Sequence, residues 1–432
     1  MHVTYLDHVA LTGPFTELRV DWRGEPGGTG APLTFNQRNH LAAAAASGRS
    51  TWIGGTLPVP SDAASGAASG AASGAVASDV AEAVRAVIAG ADALRSVARG
   101  DRQQAYAPDA VSVTVGPTTQ DVPVPGALEA LMAERCRPGA VPGLFLALCG
   151  GELVVGVDHF HADMLSVWLL LRRIHGELTG RPLGPGPSYL DTAPAETSDP
   201  DAALDVWRGF LGTTAGRVPA FPVDLGVTGL VEPVEPVQDV RHLLDAPELT
   251  GQLDARTFAV VLTALAGALE PVTGASEFAT VIPVHTRGRR ADPRHDVVGW
   301  MVGNAPVVAS AGDVDATLGW LRDAVTVAGL PLETMMEQLA PTLPDGVVPM
   351  VSYMDFRDGN GGGSAGDAPL LPEGARYVSS SSPTDTVQLW FSRSDAGLDL
   401  RAKYPDTPEA RRAMDGVFGA LQEALRANRP AG

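Results

Sequence analysis

The chain is poor in cysteine, in long apolar runs and in positive charge, and each shortage excludes something. Its 432 residues include two cysteines, Cys136 and Cys149, both in the sequence interior. That is no disulfide framework, and the pair reads as reduced, partly buried thiols. No apolar run reaches membrane length, and the opening Met1-His2-Val3-Thr4-Tyr5 lacks a basic region followed by an apolar one. The expectation is a soluble, cytoplasmic protein with no membrane partner. Lysine and arginine total 31 against 50 acidic residues, a formal net charge of −19. A phosphate backbone has to be met by a cationic surface, so nucleic acid is not an expected partner.

What is present suits a large globular core, in one large domain or two. Ser61 to Gly74 holds Ala-Ala-Ser-Gly three times in succession. Such a segment buries too little apolar surface to offset its ordering entropy, which predicts a mobile loop. A helix follows, with Val80, Val84, Val87, Ile88 and Ala91 on one face. Two apolar runs, Leu144 to Cys149 and Leu153 to Val157, flank Gly150-Gly151 and predict a hairpin buried on both faces. Met164 to Leu171 is apolar nearly all round, as a buried helix is. Gly176 to Pro200 shifts to Gly, Pro, Thr and Ser, which marks a linker.

Further elements follow. Thr257 to Leu269 reads as a helix and Phe278 to Val284 as a strand. Gln388 to Phe391 and Leu398 to Ala402 read as strands joined through Asp395-Ala396-Gly397. The last of these alternates apolar and charged, so one face is expected to meet water. The final helix is capped by Thr407, starts at Pro408 and carries Met414, Val417, Phe418, Leu421 and Leu425 as its buried stripe. The expectation is an α/β chain with mixed sheets: a first lobe over 1–178, a linker over 179–200 and a second lobe over 201–432.

Chemistry concentrates at Val157-Asp158-His159-Phe160-His161-Ala162-Asp163-Met164. An imidazole precedes a carboxylate by four residues, between an apolar strand and an apolar helix. Histidine titrates nearest neutrality, so His159 suits acyl transfer as a base or positioning group. His159-x-His161-x-Asp163 also has the spacing of a metal-dependent hydrolase. Against that, Met164 stands where a further histidine ligand would be, and no downstream ligand pattern follows. No metal is expected.

This stretch resembles the His-His-x-x-x-Asp-Gly motif of condensation domains from nonribosomal peptide synthetases, members of the chloramphenicol acetyltransferase-like superfamily. Further segments resemble that family in the same order: Pro32 to Gln37, Ala93-Leu94-Arg95, Asp205 to Leu211, Pro283 to Arg287, Val298 to Val307, and Val351 to Phe356. The likeness spans almost the whole chain, which looks like one free-standing domain without adenylation or carrier modules. It implies two acetyltransferase-like lobes in a V, with a tunnel between them.

The resemblance implies roles residue by residue. His159 matches the catalytic histidine. Asp163 matches a structural aspartate paired with an arginine of the second lobe, here Arg287. Met164, Asn304, Ser352 and Tyr353 would lie along the tunnel. Asp158 replaces the first histidine of the motif; a carboxylate there would raise the pKa of His159 and favour its protonated form. Met164 replaces a glycine and would narrow the tunnel or reshape its acceptor side. His161 has no assigned duty. The basic cluster Arg287, Arg289, Arg290 and Arg294 reads as a solvated loop, or as a contact for a phosphate or an acidic carrier protein. The implied reaction moves an acyl group from the phosphopantetheine thioester of an acyl or peptidyl carrier protein, or of coenzyme A, to a small amine or alcohol, with no bound cofactor. A degenerate member would serve instead as a scaffold or carrier-docking protein.

Overall fold

The computed structural model describes residues 1–60, 70–192, 199–228, 234–288, 291–344, 348–357 and 371–427. The chain forms two compact units: Met1–Ala195 with Arg287–Met301 and Gly361–Ser380, and Glu196–Thr286 with Val302–Asn360 and Ser381–Gly432. Two lobes were expected, but as contiguous stretches. Segments 287–301 and 371–380 instead return to the first unit, where Arg287 pairs with Asp163 and the strand Arg376–Ser379 pairs with Trp52–Pro58 and His2–Val3.

The first unit is built on a seven-stranded mixed sheet. Its strands run in the order His2–Val3, Arg376–Ser379, Trp52–Pro58, Glu152–Asp158, Leu144–Cys149, Phe15–Trp22, Val111–Thr119. The expected hairpin is its centre. Gly150 turns it in the left-handed region (φ 59°), where glycine has no Cβ to clash. Both strands are buried nearly throughout, as the absence of alternation predicts. Phe145, Val154, Trp52 and Val378 pack with Leu128 and Met132 into one core cluster. Cys136 and Cys149 are buried, unbonded thiols.

The helix predicted after the Ala-Ala-Ser-Gly repeats begins at Gly70, earlier than expected. Residues 70–74, assigned to the loop from composition, are therefore helical; 61–69 lie outside the described residues. Alanine's high helix propensity, which the loop assignment ignored, accounts for this. The predicted stripe Val80, Val84, Val87 and Ile88 is buried, and so is Ala91 beyond the helix end. The expected linker is also partly structured. Tyr189–Thr192 forms a helical turn whose fully buried Tyr189 packs with Ala93, Val297 and Met301. One aromatic ring there outweighs the Gly/Pro composition around it.

The second unit has a six-stranded mixed sheet in the order Pro236–Asp245, Gly397–Pro405, Gln388–Arg393, Met350–Asp355, Glu277–His285, Val302–Ser310. Helices Thr257–Thr273 and Pro408–Ala427 pack on one face of it through Leu262, Leu265, Met414, Phe418 and Leu421. Thr407 caps the last helix, its Oγ1 accepting from the Ala410 amide at 3.0 Å. The water-facing alternation expected of Leu398 to Ala402 is not found: Asp399 is half-buried and Arg401 is 2% exposed, and Lys403 beyond them is 8% exposed. Among the described residues, no helix is long and apolar enough to cross a membrane.

Candidate functional site

The site grows from the join between the Glu152–Asp158 strand and the Met164–Leu178 helix. The strand ends at Asp158, and His159 to Ala162 make the turn. Asp163 is the N-cap of the helix, its Oδ1 accepting from the Ser166 amide at 2.8 Å. Phe160 and Ala162 are buried, which pins the turn against the unit and leaves His159 partly accessible.

Asp163 does more than cap. Arg287 Nη1 donates to its Oδ2 at 2.6 Å and Nη2 to its Oδ1 at 2.9 Å, a bidentate pair with the guanidinium fully buried. Burial alone would raise the carboxyl's pKa; the Arg287 charge and the Ser166 bonds outweigh it and hold Asp163 below the ordinary carboxylate value. The same guanidinium donates to the carbonyls of Val297 and Gly299, and Asp163 Oδ2 accepts from the Met301 amide at 3.0 Å. The expected pair is therefore present, but Arg287 reaches Asp163 from a segment that belongs to the first unit.

This clamp positions Trp300. Gly299 lies flat against Tyr189, and a Cβ there would run into the tyrosine ring. The indole of Trp300 then stacks on the His159 imidazole, with ring centroids 4.1 Å apart and planes 30° from parallel. His159 Nδ1 is buried with no hydrogen-bond partner among the described residues. Burial first, then the neighbouring His40, lowers the His159 pKa to about 4.

Asp158 acts on His159 in the expected direction, its charge raising the imidazole's pKa, but burial and His40 outweigh it. Its fully buried carboxylate is engaged by His40 Nε2 at 2.8 Å, by the Ser50 hydroxyl and by the Phe160 amide at 2.9 Å. These donors fix the carboxylate in place, while burial and His40 keep the imidazole of His159 neutral against its pull. His40 was not singled out from the sequence. Its centroid lies 6.4 Å from His159 and 5.9 Å from Trp300. The signal that finds it is local. Thr34 and Gln37 form a capping box at the start of helix Phe35–Ser47, and His40 follows Gln37 by three residues, on the same face. Gln37 itself is buried and donates to the Phe160 carbonyl at 3.1 Å, so this helix face is turned toward the histidine turn.

His161 points elsewhere. Its Nδ1–H donates to the Ala93 carbonyl at 2.8 Å and its Nε2 accepts from the Gly143 amide at 3.3 Å. With both nitrogens committed to backbone and Asp163 committed to Arg287, the hydrolase spacing supplies no converging ligands; among the described residues no acidic, histidine and cysteine group has metal-site geometry. Arg294 is ion-paired with Asp292 at 2.7 Å, and Arg289 and Arg290 lie outside the described residues.

Met164 is the first residue of its helix and is half-buried. Its backbone is not left-handed, so the position does not require a glycine conformationally. Asn304, Ser352 and Tyr353 belong to strands of the second unit. Tyr353 stacks on Phe258 with centroids 5.3 Å apart, and burial raises its pKa to about 12.

No protein-family model matches the chain, and neither does any curated protein. Solved structures do. One described as PapA2 acyl transferase superposes with a TM-score of 0.77 at 17% identity, covering 99% of this chain and 100% of that one. The condensation domain of the Monacolin K polyketide synthase MokA gives 0.64 at 16%, covering 94% and 99%. The first condensation domain of the calcium-dependent antibiotic synthetase gives 0.60 at 18%, covering 94% and 98%. At such identities what is shared is the fold. The chain has the two-lobed α/β fold of these acyltransferase and condensation domains over almost its full length.

Proposed function

We propose that the chain is a condensation-type acyltransferase with His159 as its base or positioning group. The observation that carries this reading is the imidazole on a rigid turn with Trp300 stacked across its face at 4.1 Å, kept neutral by its burial. The acceptor's amine or hydroxyl hydrogen-bonds to Nε2. As its nitrogen or oxygen attacks the thioester carbonyl, the proton passes to the imidazole. The tetrahedral intermediate collapses with C–S cleavage, and the departing phosphopantetheine thiolate takes that proton back. The products are an amide or ester and a free thiol, with no covalent enzyme intermediate and no metal. A basicity lowered to about 4 makes His159 a weak base, so aligning the acceptor is a large part of its task.

The donor in this reading is an acyl or peptidyl carrier protein, with coenzyme A as the simpler substitute. Incubating acyl thioesters of both kinds with a panel of amines and alcohols, read by mass spectrometry, tests it. Transfer by wild type that is lost in His159→Ala supports the reading. Transfer that survives His159→Ala overturns the role of His159. No transfer by wild type across the panel favours the docking or scaffold alternative.

A further inference from the structure

Of 31 basic residues, Lys403 is the only lysine in the chain. It lies on the strand Gly397–Pro405, just beyond the stretch whose charged side chains were expected to meet water, and like Arg401 it is buried. Arg401 is two residues away, on the same face of the strand. Trp390 stands opposite Arg401 in the sheet, and Arg401 Cζ lies 4.0 Å from the centroid of its ring. Gln388 and Gln238 flank Lys403 in register on either side. Among the described residues the partner of the Lys403 ammonium is a neutral group, the Ser382 hydroxyl, at 3.1 Å. Ser381 next to it is held by Gln238.

This arrangement is costly as it stands. A buried ammonium keeps three donors to satisfy, and a second cation beside it adds repulsion. Burial first, then the charge of Arg401, lowers the Lys403 pKa to about 8, which still leaves the amine mostly protonated at neutral pH. A group that brought negative oxygens to this face would satisfy those donors and cancel the repulsion at once.

We propose that Lys403, Arg401 and Ser382 form a binding site for an oxyanion group, a carboxylate, sulfate or phosphate carried by a small molecule. The proposal does not depend on acyl transfer, since it concerns binding on the second unit. Two sources share the chemistry: an acceptor substrate bearing such a group, and the phosphate of a phosphopantetheine donor.

Because the lysine is single, its chemistry can be read without ambiguity. The full-length protein is acetylated with an N-hydroxysuccinimide ester at pH 8, and the Lys403 peptide is quantified by mass spectrometry with the N-terminal amine as internal reference. Inorganic sulfate and inorganic phosphate, each against chloride at matched ionic strength, are the probes. The expected result is that either oxyanion slows Lys403 acetylation roughly threefold or more at saturating concentration, leaves the N-terminal amine unchanged and raises Tm. The Tm response persists in Lys403→Arg and disappears in Lys403→Met. In chloride, Lys403→Met is at least as stable as wild type, because an uncompensated buried charge has been removed. Pantetheine 4′-phosphate protecting at far lower concentration than inorganic phosphate assigns the site to the donor; equal protection assigns it to the acceptor. Labelling that ignores both oxyanions, an undiminished anion response in Lys403→Met, or a marked loss of stability in that variant would each overturn the proposal, the last by making Lys403 a structural residue.

Discussion

His159 shows how one side chain's environment sets its chemistry. The free histidine value of 6.5 falls to about 4 because burial penalises the imidazolium and the neighbouring His40 disfavours a charge there. Two consequences follow. The acidic limb of kcat/KM lies near pH 4, with activity rising through it and level from pH 5.5 to 7.5 as far as His159 is concerned; a limb near 6.5 in a pH–rate profile would show that His159 is not the neutral group described. Stability moves the same way. Between pH 6.5 and about 4 the unfolded chain binds a proton at this position that the folded chain refuses, so stability falls on acidification. Tm measured at pH 7 and pH 4.5 falls less in His159→Gln than in wild type. At Met164 the backbone is ordinary helix, so Met164→Gly costs up to about 1 kcal/mol of stability while opening space beside the turn. The expected result is a broader acceptor range in the transfer assay; loss of transfer would make the methionine a required part of the site.

At the scale of elements, the segment Arg287–Met301 is held to the Met164–Leu178 helix by a polar clamp rather than by apolar area. Arg287, Asp163 and Ser166 satisfy one another and three backbone groups around Gly299. Removing one partner leaves a buried charge uncompensated, at a cost of about 3–5 kcal/mol. Asp163→Ala and Arg287→Met therefore unfold at clearly lower denaturant concentration than wild type, and both lose activity through Trp300. Gly299→Ala disturbs the same element by steric conflict with Tyr189. His161→Ala belongs with these: it strands the Ala93 carbonyl and the Gly143 amide, each worth about 1–3 kcal/mol when left unpaired. Denaturation should show the loss, while transfer per folded molecule stays near wild type.

At the scale of the whole molecule, both thiols are buried in the first unit. Cys136 lies in the core of the first unit and Cys149 on its central sheet. Burial raises both thiols, Cys149 to about 12, with Glu152 adding to the effect there and Asp158 at Cys136. Thiolate is the reactive form, so a thiol reagent at pH 8 should modify neither cysteine in the native protein and both after denaturation. Rapid native labelling would mean that the first unit opens readily around its hairpin.

The sequence alone determined the elements whose signal is local. The hairpin about Gly150-Gly151, the apolar helix after Asp163 and the capped C-terminal helix are legible, because periodicity and turn residues act over short distances; the Asp163–Arg287 pair, 124 residues apart, was expected only from the family resemblance. Tertiary structure decided what depends on residues far apart. It buried His159 beside His40 and so left its imidazole neutral, and it laid Trp300 on the ring. It returned residues 287–301 to the first unit and buried Arg401 and Lys403 on a strand whose alternation pointed to water. A local pattern shows which residues share a face; only the packed chain decides what covers that face, and with it the charge a side chain can carry.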